Sequence, residues 1–222
     1  MKGEVTEVAG EVTELKVTEV NVRAPRFMRL VAFVIVALAL VTRSGLSSQT
    51  ATTVVLATEQ GVIEIAIDTM HAPRTSANFL KYVDAGLYDG GRFTRTVRPD
   101  TETRTDFPIQ VVQGGMNPAR TAERLPPITM ESTQTTTLKH LDGVISMARS
   151  GADTAADQFF ICVGDMPSLD FGGGRNADGQ GFAAFGRVVS GMDVVKKIQA
   201  SAVRPNSQNL EPPVVIVSAR RK

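Results

Sequence analysis

From Thr52 onward the chain sets short apolar runs between turn residues, the texture of a β-rich domain. VVLATEQGVIEIAID reads as two strands joined at Glu59-Gln60-Gly61, a hairpin signal. RFTRTV, IQVVQGG, GVISMAR, QFFICVG, GFAAFGRVV and PVVIVSARR supply further strand candidates. In HAPRTSANFLKYVDAGLYDG, Pro73 suits a first helical turn, Phe79, Leu80 and Val83 form an apolar stripe, and Gly86 supplies a stop. GMDVVKKIQAS, with Val194, Val195 and Ile198 at helical spacing, reads as a second helix. The pattern predicts roughly eight short strands and two amphipathic helices, a mainly β barrel or sandwich whose ends the helices plug.

The run ADQFFICVG, Ala156 to Gly164, is the most informative stretch. Successive side chains of a strand point to opposite faces. Phe159, Ile161 and Val163 therefore share one face, all large and apolar, as a packed interior requires. Gln158, Phe160 and Cys162 share the other: an amide, a ring and a small thiol. Two readings fit that second face. One is a fully buried strand with a satisfied amide, and the other is a shallow apolar pocket rimmed by hydrogen-bonding groups.

The N-terminal region has a different character. Residues 1–27 repeat a Glu-Val-Thr-Glu phrase with no helical stripe and few large side chains, which reads as disordered or untranslated sequence. Met28-Arg29 then precedes LVAFVIVALALV, Leu30 to Val41, an unbroken apolar run. The run is short for a membrane span, which needs about 20 residues, and suits the apolar region of a signal peptide. Residues 28–50 are thus expected to be a signal peptide or an N-terminal membrane anchor. Residues 51–222 form the folded domain. Export is expected, to the periplasm or to the outer side of a membrane.

Composition narrows the chemistry. The 222 residues carry a formal net charge of +1, with no basic surplus to drive nucleic-acid binding. A lone cysteine, Cys162, cannot form an internal disulfide, and its place in a strand makes it a small buried apolar residue. With one Cys and only two His, His71 and His140, far apart in sequence, a zinc site is not expected. GGGRNADGQG, Gly172 to Gly181, lacks the Gly-Lys-Ser/Thr of a phosphate loop and reads as a flexible surface loop. No Ser/His/Asp or paired-carboxylate arrangement is visible in the spacing.

Six motifs nevertheless occur together: FTRTV (Phe93 to Val97), VQGG (Val112 to Gly115), GVISMAR (Gly143 to Arg149), DQFFICVG (Asp157 to Gly164), SLD (Ser168 to Asp170) and FAAFGRVVSGMDVV (Phe182 to Val195). In order and approximate spacing the set resembles the cyclophilins, peptidyl-prolyl cis–trans isomerases, from about Val54 to Ala219. The aromatic Phe182, where others carry His, is shared with bacterial members. The resemblance implies a closed eight-stranded antiparallel β-barrel capped by two helices. It also implies acceleration of X-Pro isomerisation in folding polypeptides, with no cofactor or metal, by a monomer that binds proline-containing chains.

Carried over position by position, the resemblance makes Arg95 the catalytic arginine and Gln113 the residue that orients it. Phe160 is the floor of the proline pocket and Leu169 an apolar wall. Gln158, with Ala148 and Arg149, holds the peptide chain. The loop between Arg95 and Gln113 is longer than usual in the family. With VQGG as the anchor, Gln110 stands in place of a pocket Phe and Val111 in place of a Met. Ser168 replaces the usual Trp or Phe, and Phe182 lines the pocket in place of His. These changed walls leave a second reading open, a catalytically weak module that binds Pro-containing segments.

Overall fold

The computed structural model describes residues 52–222. The expectations for residues 1–27 and 28–50 lie outside them. β1 (Thr52–Thr58) and β2 (Gly61–Ile67) form the first hairpin, paired from Thr52–Ile67 to Thr58–Gly61. The turn is tighter than the sequence suggests, because Gly61 already belongs to β2. Gly61 has φ +141°, and a Cβ there would lie 2.7 Å from Val194 Cγ2. Both the backbone and the neighbouring helix therefore exclude a larger residue.

Helix α1 (Pro73–Asp84) begins on its proline and ends before Gly86, whose φ of +61° matches the predicted stop. It leads to β3 (Arg92–Val97), then β4 (Val111–Gly115). A single helical turn, α2 (Thr133–Thr136), was not foreseen; its four residues carry no apolar stripe to announce it. β5 (Val144–Met147), β6 (Phe159–Cys162), β7 (Ala183–Ser190), helix α3 (Met192–Gln199) and β8 (Asn209–Arg221) complete the described chain. The strands close into an antiparallel barrel in the order β1-β2-β7-β5-β6-β4-β3-β8, with β8 returning to β1.

The barrel interior is filled by alternate residues of every strand. Leu56, Ile63, Ile65, Phe93, Val112, Ile145, Phe159, Ile161 and Phe185 are fully buried in one cluster. α1 closes one end with aromatic packing: Phe79 meets Phe159 edge-on at 5.6 Å, Phe185 at 5.1 Å and Tyr88 at 5.2 Å. α3 contributes Val195 and Ile198. On the outer side of β3, β4 and β6 lies a second, smaller cluster of Val97, Ile109, Val111, Phe160, Cys162, Met166 and Leu169. The two faces of ADQFFICVG divide between these clusters as alternation requires. Burial pushes the Cys162 thiol well above its ordinary value, in keeping with a packing role.

Candidate active site

Strand β3 changes face part-way along. Its partners on β4 run Phe93–Gly114 and then Arg95–Gln113, so Thr94 is an extra residue against that strand; on β8 they run Phe93–Val214 and then Arg95–Asn209, where the surplus, Leu210 to Pro213, belongs to β8. Such a bulge re-aims the residues beyond it. Phe93 points into the barrel, while Arg95 and Val97, two and four residues on, face the outer cluster.

Arg95 is held in a row of amides. Its Nη1 donates to Gln113 Oε1 at 3.0 Å. Gln113 Nε2 in turn donates to Gln158 Oε1 at 2.7 Å. On the other side, Arg95 Nε and Nη2 donate to Gln208 Oε1 at 3.0 and 2.6 Å. Burial and, next, the positive charge of Arg175 pull Arg95 below the ordinary arginine value, while Glu102 acts in the opposite sense. Arginine starts so high that it remains a cation at any physiological pH. Of its five N–H groups, these bonds occupy three, leaving one on each terminal nitrogen.

Beside this guanidinium opens a cavity of about 270 Å³. Phe160, Leu169, Val111, Ile109 and Phe182 give it apolar walls, and Arg95, Gln113, Ala148 and Arg149 complete its lining. The structure thus brings together eight of the residues singled out from sequence. Gln158 sits next door, in an adjoining cavity of about 420 Å³ that also contacts Gln113, Ala148 and Arg149. Gln110 does not reach the wall. Ile109 takes that place, because along an extended chain Gln113, Val111 and Ile109 share a face and Gln110 points away. Backbone bonds hold Gln110 at the edge: its N–H lies 3.1 Å from Met166 Sδ, and its carbonyl accepts from Val163 N–H at 2.9 Å.

The pocket floor has a polar backing. The Phe160 ring stacks on His140, with centroids 6.0 Å apart and planes at 17°, and meets Phe182 edge-on at 5.2 Å. His140 Nδ1 faces Asp170 Oδ1 at 2.8 Å, and its Nε2 faces Ser146 Oγ at 3.0 Å. A carboxylate only accepts, so Nδ1 carries the hydrogen and Nε2 takes the Ser146 hydroxyl. Burial works to raise the Asp170 carboxyl, but the hydrogen bonds from His140 outweigh it and hold it low. A Ser-His-Asp row therefore exists, contrary to the reading of the spacing. The reason is the fold, which pairs residues six and thirty positions apart. All three side chains are buried, with Ser146 and His140 shut off from the groove, so the row supports a ring and meets no substrate.

Loops close the rim. The loop Gly172 to Gly181 lies at the surface, and its side chains reach other elements. Arg149 donates to both oxygens of Asp178 at 2.6 and 2.9 Å and to Gly181 O at 2.7 Å. The Arg149 guanidinium also lies 5.3 Å from the centroid of the Phe182 ring. Arg175 donates to Glu102 at 2.9 Å and to Phe107 O at 2.8 Å, joining this loop to the long segment between β3 and β4. Arg98 anchors that segment at its start, donating to the carbonyls of Gln199, the last residue of α3, and of Ser201. Sequence reasoning missed Gln208, Ile109 and the backing of Phe160. Ile109 was within reach of simple alternation, whereas Gln208 lies 113 positions from Arg95 and no motif marks it.

An antiparallel barrel with an outer apolar pocket beside an amide-held arginine defines a peptide-binding isomerase of one particular kind. The family model described as cyclophilin type peptidyl-prolyl cis-trans isomerase/CLD matches residues 53–221. The chain belongs to this family. It is 37% identical over 199 residues to peptidyl-prolyl cis-trans isomerase A of Dickeya dadantii, covering 86% of this chain and 96% of that protein. It is 36% identical over 173 residues to peptidyl-prolyl cis-trans isomerase cyp18 of Streptomyces antibioticus, covering 76% and 97%. Among solved structures, a cyclophilin type isomerase of Cryptosporidium parvum shares the fold with a TM-score of 0.61 at 19% identity, over 77% of this chain and 97% of that one.

Proposed function

We propose that this peptidyl-prolyl cis–trans isomerase works by presenting the Arg95 guanidinium to the nitrogen of a prolyl amide whose ring sits on Phe160. Amide resonance gives the X-Pro bond a barrier of about 18–20 kcal/mol, and unassisted rotation takes roughly tens to hundreds of seconds. No bond to carbon breaks, so no nucleophile is needed. The task is to favour the twisted amide, whose nitrogen lone pair is no longer delocalised. A cationic donor beside that nitrogen does so, and arginine suits it because the group is planar and always charged.

The observation that carries this reading is the coincidence in one cavity of Arg95, with its two uncommitted terminal N–H groups, and the apolar floor of Phe160. Leu169, Val111 and Ile109 would grip the ring. Gln158 and the backbone at Ala148 and Arg149 would hold the flanking peptide, which the adjoining cavity gives room to pass. A hydrogen bond to a charged group contributes about 1.5–3 kcal/mol, and each tenfold in rate needs about 1.36 kcal/mol. Arg95 thus supplies about one to two decades, and the pocket's preference for the twisted form supplies the rest. The purified chain is expected to accelerate isomerisation of a proline peptide, with Arg95→Ala lower in kcat/KM by about 10- to 100-fold. Equal rates for wild type and Arg95→Ala would sink this assignment. Peptide-induced NMR shifts without any acceleration would favour the binding-module alternative.

The apolar run Leu30 to Val41 behind Met28-Arg29 supports a second part of the proposal, that the domain acts on folding clients outside the cytoplasm. N-terminal sequencing of the native protein, with fractionation of the cells, tests it. A cytoplasmic protein retaining this run would refute export.

A further inference from the structure

This inference rests on the isomerase reading of Arg95. Gln208 lies in the connection between α3 and β8, immediately before Asn209. Its Oε1 accepts from two nitrogens of Arg95, at 3.0 Å from Nε and 2.6 Å from Nη2. Its Nε2 donates to the carbonyl of Thr101 at 2.9 Å, and its own carbonyl accepts from Thr96 N–H at 2.8 Å. A backbone carbonyl cannot donate, so Thr101 settles which end of the amide faces which way. The NH₂ turns to the loop and the oxygen turns to Arg95.

The chemistry of this contact is informative. Among the described residues no carboxylate forms an ion pair with Arg95, although charged groups are near enough to act on it. Glu102 is committed to Arg175, at 2.9 Å. Arg95 is instead gripped on one side by Gln113 and on the other by Gln208, both neutral. A carboxylate would hold the guanidinium as firmly or more so, but its charge would cancel the field offered to the substrate. An amide fixes the plane and leaves the charge.

We propose that Gln208 is a positioning residue for isomerisation, a neutral clamp tied to the loop through Thr101 that sets the plane of the Arg95 guanidinium without compensating its charge.

The test combines steady-state isomerisation of a proline peptide by the full chain with ¹⁵N NMR of the Arg95 Nε–H, assigned by its loss in Arg95→Lys. Gln208→Ala is expected to lower kcat about ten-fold, with KM held within about two-fold. Its Arg95 Nε–H signal should move to the position and exchange rate of a solvent-exposed arginine. Gln208→Glu keeps an acceptor against Arg95, so the signal stays protected, yet kcat falls because the charge is compensated. Gln208→Met, similar in length but without the amide, takes the place of the Ala variant if that one fails to fold. Retained kcat in Gln208→Ala or Gln208→Met overturns the proposal, whatever the NMR signal does, and so does wild-type turnover in Gln208→Glu. The NMR arm is independent of activity. An inactive wild type would sink the isomerase reading, while an unmoved Arg95 signal in Gln208→Ala would sink the clamp by itself.

Discussion

Glu102 Oε2 lies 2.9 Å from Arg175 Nη1 and joins two loops that are 73 positions apart in the chain. The two side chains are only 6% and 11% exposed, so the pair is largely out of water. The same carboxylate accepts the backbone N–H of Arg104 and of Ile109, each at 3.0 Å. Ile109, a wall of the cavity beside Arg95, is therefore suspended from Glu102. The long segment between β3 and β4 thus supplies an isoleucine to the pocket.

Removing that carboxylate should loosen one wall and spare the rest. Glu102→Ala leaves Arg175 without its counter-ion and two N–H groups without an acceptor. Breaking one partner of a desolvated pair costs on the order of 3 kcal/mol. The expected result is a higher KM for proline peptides with kcat less affected, and faster amide exchange at Ile109 than at Val112 in β4. An unchanged KM together with unchanged exchange at Ile109 would show that the loop is held by other contacts.

The floor makes a separate prediction. Ser146→Ala removes the hydroxyl that meets His140 Nε2 in a fully buried site. An orphaned buried polar atom costs about 1–3 kcal/mol. The free energy of unfolding should fall by that amount, read as a lower denaturant midpoint with the slope unchanged. Turnover should also drop, because the ring of Phe160 loses a fixed neighbour. A variant as stable as wild type would mean that water or a rotated imidazole satisfies the nitrogen.

Acid should release the rim before it unfolds the barrel. The hydrogen bond from Arg149, helped by the N–H of Gln180, holds the Asp178 carboxyl down to about 2, from an ordinary value of 3.8. A carboxyl depressed by folding stabilises the native state above its unfolded pKa, and that contribution is lost as pH falls through the folded value. Wild type should therefore melt slightly higher than Asp178→Asn from neutral pH down to roughly pH 4. The gap should close as the pH approaches about 2. The effect is small because the Asp178 carboxylate lies at the solvent-exposed surface. A gap that persists at the acid end would show that the aspartate acts through packing.

Local pattern carried much of this structure. The alternation of Phe159, Ile161 and Val163 against Phe160 and Cys162 sorted the strand correctly between two clusters. Pro73, Gly86 and the stripe of Phe79, Leu80 and Val83 bounded α1 closely. What escaped notice depends on chain closure. Gln208 reaches Arg95, and Asp170 reaches His140, only after distant strands have been brought together. Gln110 is a different case. Placing both it and Val111 on the pocket wall asked two adjacent residues of an extended chain to face the same way. Alternation from Gln113 selects Val111 and Ile109, so a local rule was available and the borrowed register obscured it. The contacts of the Gly172 to Gly181 loop were hidden for a third reason: its composition marks only a surface loop, and the partners of Arg175 and Asp178 lie on other elements.

The odd residue at Thr94 has a wider meaning. Counting by twos from Phe93, a regular strand would carry the arginine inward, among the barrel's aromatic rings, where a cation has nowhere to go. One surplus residue switches the parity of everything downstream. The guanidinium thus owes its access to solvent and to the cavity to an irregularity of the chain as much as to its own chemistry. Were Thr94 paired as an ordinary strand residue, the arginine would be stranded on the wrong side of an otherwise intact wall.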